Sequence, residues 1–194
     1  MRLMGHITSD RPLLVLAVRE EAQHLDTSLP VLLTGMGKVN AAIALASTLA
    51  RGPLPSYVVN LGTAGALRPG WTGTHVVGTV LQHDLDSDTL RALTGKSYGA
   101  PLAVGDPDGP TLATGDSFID DKAARARLAE RAAVVDMEGY ALATAAHDAG
   151  VRLRIVKHVS DDADESAVRA WQETVAECAR ALAGWAADNV PAYR

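Results

Sequence analysis

Cysteine is nearly absent: Cys178 stands alone, so no internal disulfide framework can form, and the chain suits a reducing compartment. A basic excess is absent too. Lys and Arg number 18 against 23 Asp and Glu, a formal net charge of -5, and no run of Lys or Arg offers the cationic face that nucleic-acid binding needs. Residues 13–18 form an apolar run far short of the roughly 20 that span a bilayer. The first residues include Arg2, Asp10 and Arg11 and lack the apolar core of a signal peptide. A soluble, cytoplasmic protein without nucleic-acid or membrane partners is the expectation.

Several chemistries are missing by motif. The histidines are scattered, with no His-Glu-x-x-His spacing. No Gly-x-Ser-x-Gly elbow supports a hydrolase triad. Neither a P-loop nor a full dinucleotide fingerprint is present. Neither a metal nor a cofactor is expected.

What remains is an alternation of short apolar runs and Ala- and Leu-rich segments. With 194 residues and 47% hydrophobic content, the chain can bury one substantial core. It has no internal repeat, low-complexity linker or Pro/Ser-rich boundary, so residues 1–194 read as a single domain. Strands are predicted over residues 13–18, 31–34, 57–61, 75–81, 132–137 and 151–159, and helices over 38–50, 122–131, 138–148 and 165–187. Residues 82–110 carry five acids with several Gly and Pro, and read as a mobile loop or lid with one short helix. In the last helix Val168, Trp171, Val175, Cys178, Leu182 and Trp185 recur at alternating three and four, a stripe expected to pack on the sheet. This is the order of an α/β domain with a mostly parallel sheet.

Carboxylates cluster where strands are predicted to stop, which is where open α/β folds do their chemistry. Glu138, in Val135-Asp136-Met137-Glu138-Gly139, opens a helix and offers two oxygens that match vicinal sugar hydroxyls, or simply complements the helix dipole. Ser160-Asp161-Asp162-Ala163-Asp164-Glu165 holds four acids in six residues. It lacks the Gly of a hard-metal loop, and reads either as a capping series or as a site where one buried acid keeps its proton. Arg19-Glu20-Glu21 follows the first strand, as a first-turn acid pair or as a base for water. Gly35-Met36-Gly37-Lys38 and Gly62-Thr63-Ala64-Gly65 read as turns after strands, which would also let backbone N–H groups approach a ligand.

Taken in order, these blocks resemble the purine nucleoside phosphorylase/nucleosidase superfamily, and most of all the methylthioadenosine/S-adenosylhomocysteine nucleosidases. The blocks are Ala17-Val18-Arg19-Glu20-Glu21, Thr34-Gly35-Met36-Gly37-Lys38-Val39-Asn40-Ala41-Ala42, Asn60-Leu61-Gly62-Thr63-Ala64-Gly65, Thr114-Gly115-Asp116-Ser117-Phe118-Ile119 and Val135-Asp136-Met137-Glu138, closed by Val159-Ser160-Asp161. The resemblance implies a three-layer α/β/α sandwich with a central mixed, mostly parallel sheet. It implies a purine nucleoside N-ribohydrolase, with futalosine-type hydrolysis, phosphate-dependent phosphorolysis and a non-catalytic nucleoside sensor as alternatives, and a homodimer.

By the same resemblance, Asp161 would protonate purine N7 and Ser160 would orient it. Glu138 would hold the ribose 2′- and 3′-hydroxyls with Met137 against the sugar, and Phe118 would stack on the base with Ile119 at its edge. Thr63, Ala64 and Gly65 would line the substrate, and Glu21 would activate water. Asn60 stands where the phosphorylases carry a phosphate-gripping arginine, which favours hydrolysis. Four departures stand out: twelve residues, 19–30, replace an inserted hairpin; the middle segment is short; Asp136 replaces a common Glu; and Gly139 replaces a common Ala.

Overall fold

The computed structural model describes residues 1–193. The elements run β1 (Arg2–Met4), β2 (Leu13–Leu16), α1 (Arg19–Ala22), β3 (Val31–Leu33), α2 (Lys38–Arg51), β4 (Val58–Ala66), β5 (Thr74–Val76) and β6 (Thr79–Gln82). They continue α3 (Ser87–Thr94), β7 (Leu102–Ala103), β8 (Thr111–Thr114), α4 (Lys122–Ala129), β9 (Val134–Asp136), α5 (Gly139–Asp148), β10 (Leu153–Asp161) and α6 (Ala167–Asn189).

The central strands are buried on both faces, which is why β2 and β3 and the start of β4 read as unbroken apolar runs. Along β2, Leu13 and Val15 join a cluster with Ala41, Leu45, Leu142 and Ala146 of α2 and α5. Leu14 and Leu16 point the other way, into a cluster with Leu182 and Ala186 of α6. The expected α/β/α layering and mixed, mostly parallel sheet are therefore present. Parallel ladders join β2 to β3 and β4, β10 to β4, β8 to β6 and β9. Antiparallel ones join β1 to β3, β10 to β5, β4 to β9 and β6 to β7.

Strand β4 is the hub. One edge pairs with β10 along nearly its whole length, from Leu153↔Val58 to Asp161↔Gly65. The other edge is shared: β2 runs parallel to it over Val58, Val59 and Asn60, and β9 runs antiparallel to it at Gly65 and Ala66. The carboxyl ends of β2 and β9 therefore approach each other head-on, and residues 61–64 have no strand partner on that edge.

Three sequence expectations change. Residues 62–65 were expected to turn after a strand, but β4 runs through them. Their glycines serve close approach instead. A Cβ at Gly62 would lie 2.9 Å from Lys157 Nζ, and one at Gly65 would lie 2.9 Å from Asp161 Oδ1 and 3.1 Å from Ala163 Cβ. Residues 82–110 hold more order than a loop with one helix, since β7 adds a strand to β6 besides α3. Strand β1 carries no alternation to read, being mostly exposed. In α6, Val175, Cys178 and Leu182 pack inward as expected, but Val168 is 52% exposed and heads the stripe off the sheet.

Because Gly65 has no room for a methyl group, Gly65→Ala should destabilise the protein by about 1–3 kcal/mol, the usual cost of overpacking. Urea unfolding checks this, and an unchanged midpoint would contradict the close-approach role.

Candidate active site

A cavity of about 260 Å³ opens where β2 and β9 end. Every site residue selected from the sequence lines it: Glu21, Thr63, Ala64, Gly65, Phe118, Ile119, Met137, Glu138, Ser160 and Asp161. They arrive on five separate stretches of chain, and only the strand order unites them.

Glu21 sits in the single turn of α1 and is 4% exposed. Its side chain serves β4 rather than its own helix. Oε1 accepts Thr63 N–H at 2.8 Å and Thr63 Oγ1–H at 2.9 Å, and Oε2 accepts Ala17 N–H at 3.3 Å. A buried backbone N–H must find a partner. Thr63 lies in the stretch of β4 that β2 and β9 leave open, so the carboxylate takes the place of the missing strand.

Glu138 is the N-cap residue of α5, yet its side chain makes no cap bond there. Instead Oε1 accepts Gly37 N–H at 2.8 Å, at the N-terminus of α2. Gly37 has φ +90°, a left-handed conformation that a side chain resists, and this directs its N–H at the carboxylate. Burial, and then the neighbouring Asp136, push the Glu138 carboxyl up to about 7, against the pull of Lys157 and of the Gly37 N–H.

Asp136 is saturated by donors. Oδ1 accepts Thr114 Oγ1–H at 2.6 Å, and Oδ2 accepts Gly139 N–H at 2.8 Å. Lys157 Nζ lies 2.9 Å from Oδ2, with both side chains 2% exposed. Asp136 thus caps α5 from outside the helix and holds the buried ammonium. Gly139 follows from this arrangement, because a Cβ there would lie 2.7 Å from Leu112 Cδ2 and 3.1 Å from Asp136 Oδ2. Burial opposes the charge on Lys157, but Asp136, Glu138 and Glu21 outweigh it and raise the ammonium pKa above its usual value.

Asp161 is placed by a bulge. Val159 pairs with Ala64 and Asp161 with Gly65, so two residues of β10 oppose one step of β4, the extra one being Ser160. Asp161 Oδ1 accepts Ala163 N–H at 2.9 Å, and Oδ2 accepts Ser160 Oγ–H at 2.7 Å. Burial pushes this carboxyl above its usual range despite both hydrogen bonds, and Asp162 and Asp164 add to the rise. Phe118 stands at the rim, 42% exposed. Among the described residues no cluster of three or more His, Cys, Asp or Glu is placed to hold a metal ion.

Two residues at this site escaped the sequence reading. Lys157 shares the predicted strand 151–159 with Arg152 and Arg154, so nothing in the sequence marked it as the buried cation. Trp171 was read as core, but it lines the cavity and donates Nε1–H to Thr63 Oγ1 at 3.0 Å. Its periodicity is that of the buried stripe, so nothing in the sequence separated it.

The family model of the phosphorylase superfamily matches residues 26–108 and 90–188. The chain belongs to the phosphorylase superfamily. Its curated relatives include a 5′-methylthioadenosine/S-adenosylhomocysteine nucleosidase of Bacillus subtilis, 33% identical over 160 residues that cover 70% of this chain and 68% of the relative. Another so named, from an Exiguobacterium species, is 31% identical over 168 residues, covering 74% and 71%. The fold also matches a 5′-methylthioadenosine/S-adenosylhomocysteine nucleosidase from Helicobacter pylori at a TM-score of 0.80, with 20% identity over 93% of this chain and 97% of that one. The futalosine hydrolase of Helicobacter pylori follows at 0.79, with 20% identity, covering 91% and 95%.

The raised Glu138 carboxyl makes stability depend on pH. Folding holds this proton more tightly than the unfolded chain does, so stability is fully present below about 4.5 and is lost as pH rises through about 7. Glu138→Gln keeps the oxygen that Gly37 needs and removes the ionisation. It should gain on the wild type across that window by about 3 kcal/mol. Unfolding midpoints from pH 4.5 to 8 check this; a pH-independent difference would contradict it.

Proposed function

We propose that this protein is a purine nucleoside N-ribohydrolase, acting on 5′-methylthioadenosine or S-adenosylhomocysteine with water. Its curated relatives are nucleosidases, which are N-glycosyl hydrolases. The observation that carries the mechanism is the pair of carboxylates with separate environments, Asp161 beside Ser160 with its carboxyl raised by burial, and Glu21 held by donors on β4. A carboxyl raised by burial suits the acid, and a carboxylate with an oxygen left free to accept from water suits the base.

In this reading Asp161 gives its proton to purine N7 as the C1′–N9 bond breaks and its electron pair moves to the base. A water oxygen bonds to C1′ of an oxocarbenium-like ribosyl cation. Glu21 takes the water's proton. Ser160 follows the proton on Asp161, because its hydroxyl lies 2.7 Å from Asp161 Oδ2 and 3.4 Å from the Ala64 carbonyl oxygen. Before transfer it can donate to Ala64; afterwards it donates to the new carboxylate. Glu138 receives the 2′- and 3′-hydroxyls with Met137 against the sugar, and Phe118 and Ile119 take the base.

Water is favoured over phosphate by charge. Glu21, Asp136 and Glu138 surround Lys157, which Asp136 already holds, and among the described residues no arginine lines the cavity. Asn60 is buried and donates to the Val15 carbonyl, tying β4 to β2. A phosphate would enter a field that repels it.

The same reading includes a cytoplasmic homodimer. Val39 and Ile43 are 67% and 60% exposed on α2, and Met36, just before its N-cap Gly37, is 47% exposed and also lines the cavity. A second copy on this face would roof the site beside Phe118. Ile43→Asp should give a monomer by sedimentation with reduced turnover; a dimer that persists would contradict this interface.

A nucleoside panel with and without phosphate, read by liberated base, tests the reaction. Adenine release from 5′-methylthioadenosine without phosphate is expected. Strict phosphate dependence would reassign the protein as a phosphorylase, faster turnover of futalosine would reassign the substrate, and binding without turnover would make it a sensor. Asp161→Asn should lower kcat by about 10²–10⁴-fold; a variant near wild-type turnover would remove Asp161 from the acid role.

A further inference from the structure

Trp171 lies in the second turn of α6, 108 positions along the chain from its hydrogen-bond partner Thr63. Three groups form a line: Trp171 Nε1–H donates to Thr63 Oγ1 at 3.0 Å, and Thr63 Oγ1–H donates to Glu21 Oε1 at 2.9 Å. The polarity of this line is set by chemistry. An indole N–H only donates, an ionised carboxylate only accepts, and a threonine hydroxyl has one proton between them. With the indole filling a lone pair of Oγ1, the hydroxyl proton points to Glu21.

The consequence falls on the two carboxylate oxygens. Oε1 is committed to Thr63 twice, through N–H and through hydroxyl. Oε2 has only the longer bond from Ala17 N–H at 3.3 Å, which leaves it the capacity to accept from a water in the cavity. One turn further along α6, the single Thr174 hydroxyl proton is shared between the Ala170 carbonyl at 2.8 Å and the Ser160 carbonyl of β10 at 3.1 Å, beside Asp161.

We propose that Trp171 is a positioning residue for hydrolysis: its indole N–H locks the Thr63 hydroxyl onto Glu21 Oε1 and thereby keeps Oε2 turned to the attacking water. This rests on Glu21 being the group that takes the water's proton. A ring that merely fills the cavity wall could be phenylalanine; a hydrogen-bonded ring could not.

The test is a double-mutant cycle on phosphate-free adenine release from 5′-methylthioadenosine, with Trp171→Phe, Thr63→Val, the double variant and Glu21→Gln. Trp171→Phe should lower kcat about tenfold while KM stays within about twofold, the pattern of an interaction that matters at the transition state. In the Thr63→Val background the same change should cost less than about twofold, because the line is already cut. Trp171→Leu, which also lacks the donor, should give the same split and stands in if the phenylalanine variant does not fold. Unchanged kcat, a loss confined to KM, or losses that multiply in the double variant would overturn the proposal while leaving Glu21 in its role, provided Glu21→Gln is inactive. Full activity of Glu21→Gln would overturn the role of Glu21 and this proposal with it.

Discussion

Lys157 is a fully buried ammonium surrounded by Asp136, Glu138 and Glu21, and the arrangement of the site depends on it. Three carboxylates this close would repel one another apart in a low-dielectric interior. One central cation lets them stay, and Asp136 completes its ion pair at 2.9 Å. The pair is costly to bury, so it persists only with its other hydrogen-bonding capacity filled. Thr114 and Gly139 do that for Asp136. Even so, burial and then the neighbouring Asp136 raise the Glu138 carboxyl to about 7, against the pull of this cation.

The cation in turn needs the backbone of β4 to give way. Lys157 is registered against Gly62 and Asp161 against Gly65, and at each glycine a methyl group would meet the ionisable side chain at 2.9 Å. On the opposite edge, β2 and β9 end short of each other and leave Thr63 N–H for Glu21. The cavity is thus a break in strand pairing, bordered by carboxylates that answer backbone donors. Glu138 does the same for Gly37. Functional chemistry and backbone satisfaction use the same groups.

Much of this was legible beforehand. Apolar runs marked the strands, because a sheet buried on both faces leaves no alternation to confuse them. The helix expected over residues 122–131 is present as α4, capped by Asp121, which accepts Ala123 N–H at 2.8 Å. The ordered blocks carried the superfamily. The turn assigned to residues 62–65 failed because glycine marks both turns and close approach, and only the neighbour across the sheet distinguishes them. Trp171 failed likewise, since a helical stripe leaves the sheet without any change in spacing.

By itself, the sequence determined which residues could do chemistry: a short set of carboxylates after strands, a single Phe, a solitary thiol and no excess of cations. It also determined the layers, since hydrophobic period and length decide what a segment can bury. The tertiary structure alone decided how each acid is used. Asp136 became a counter-ion and cap, Glu138 the partner of another helix's N-terminus, and Asp161 a carboxyl raised by burial beside Ser160. The reason is physical: a carboxylate's proton affinity and orientation depend on the charges, donors and desolvation around it. Those come from strands distant in sequence, and no local spacing records them.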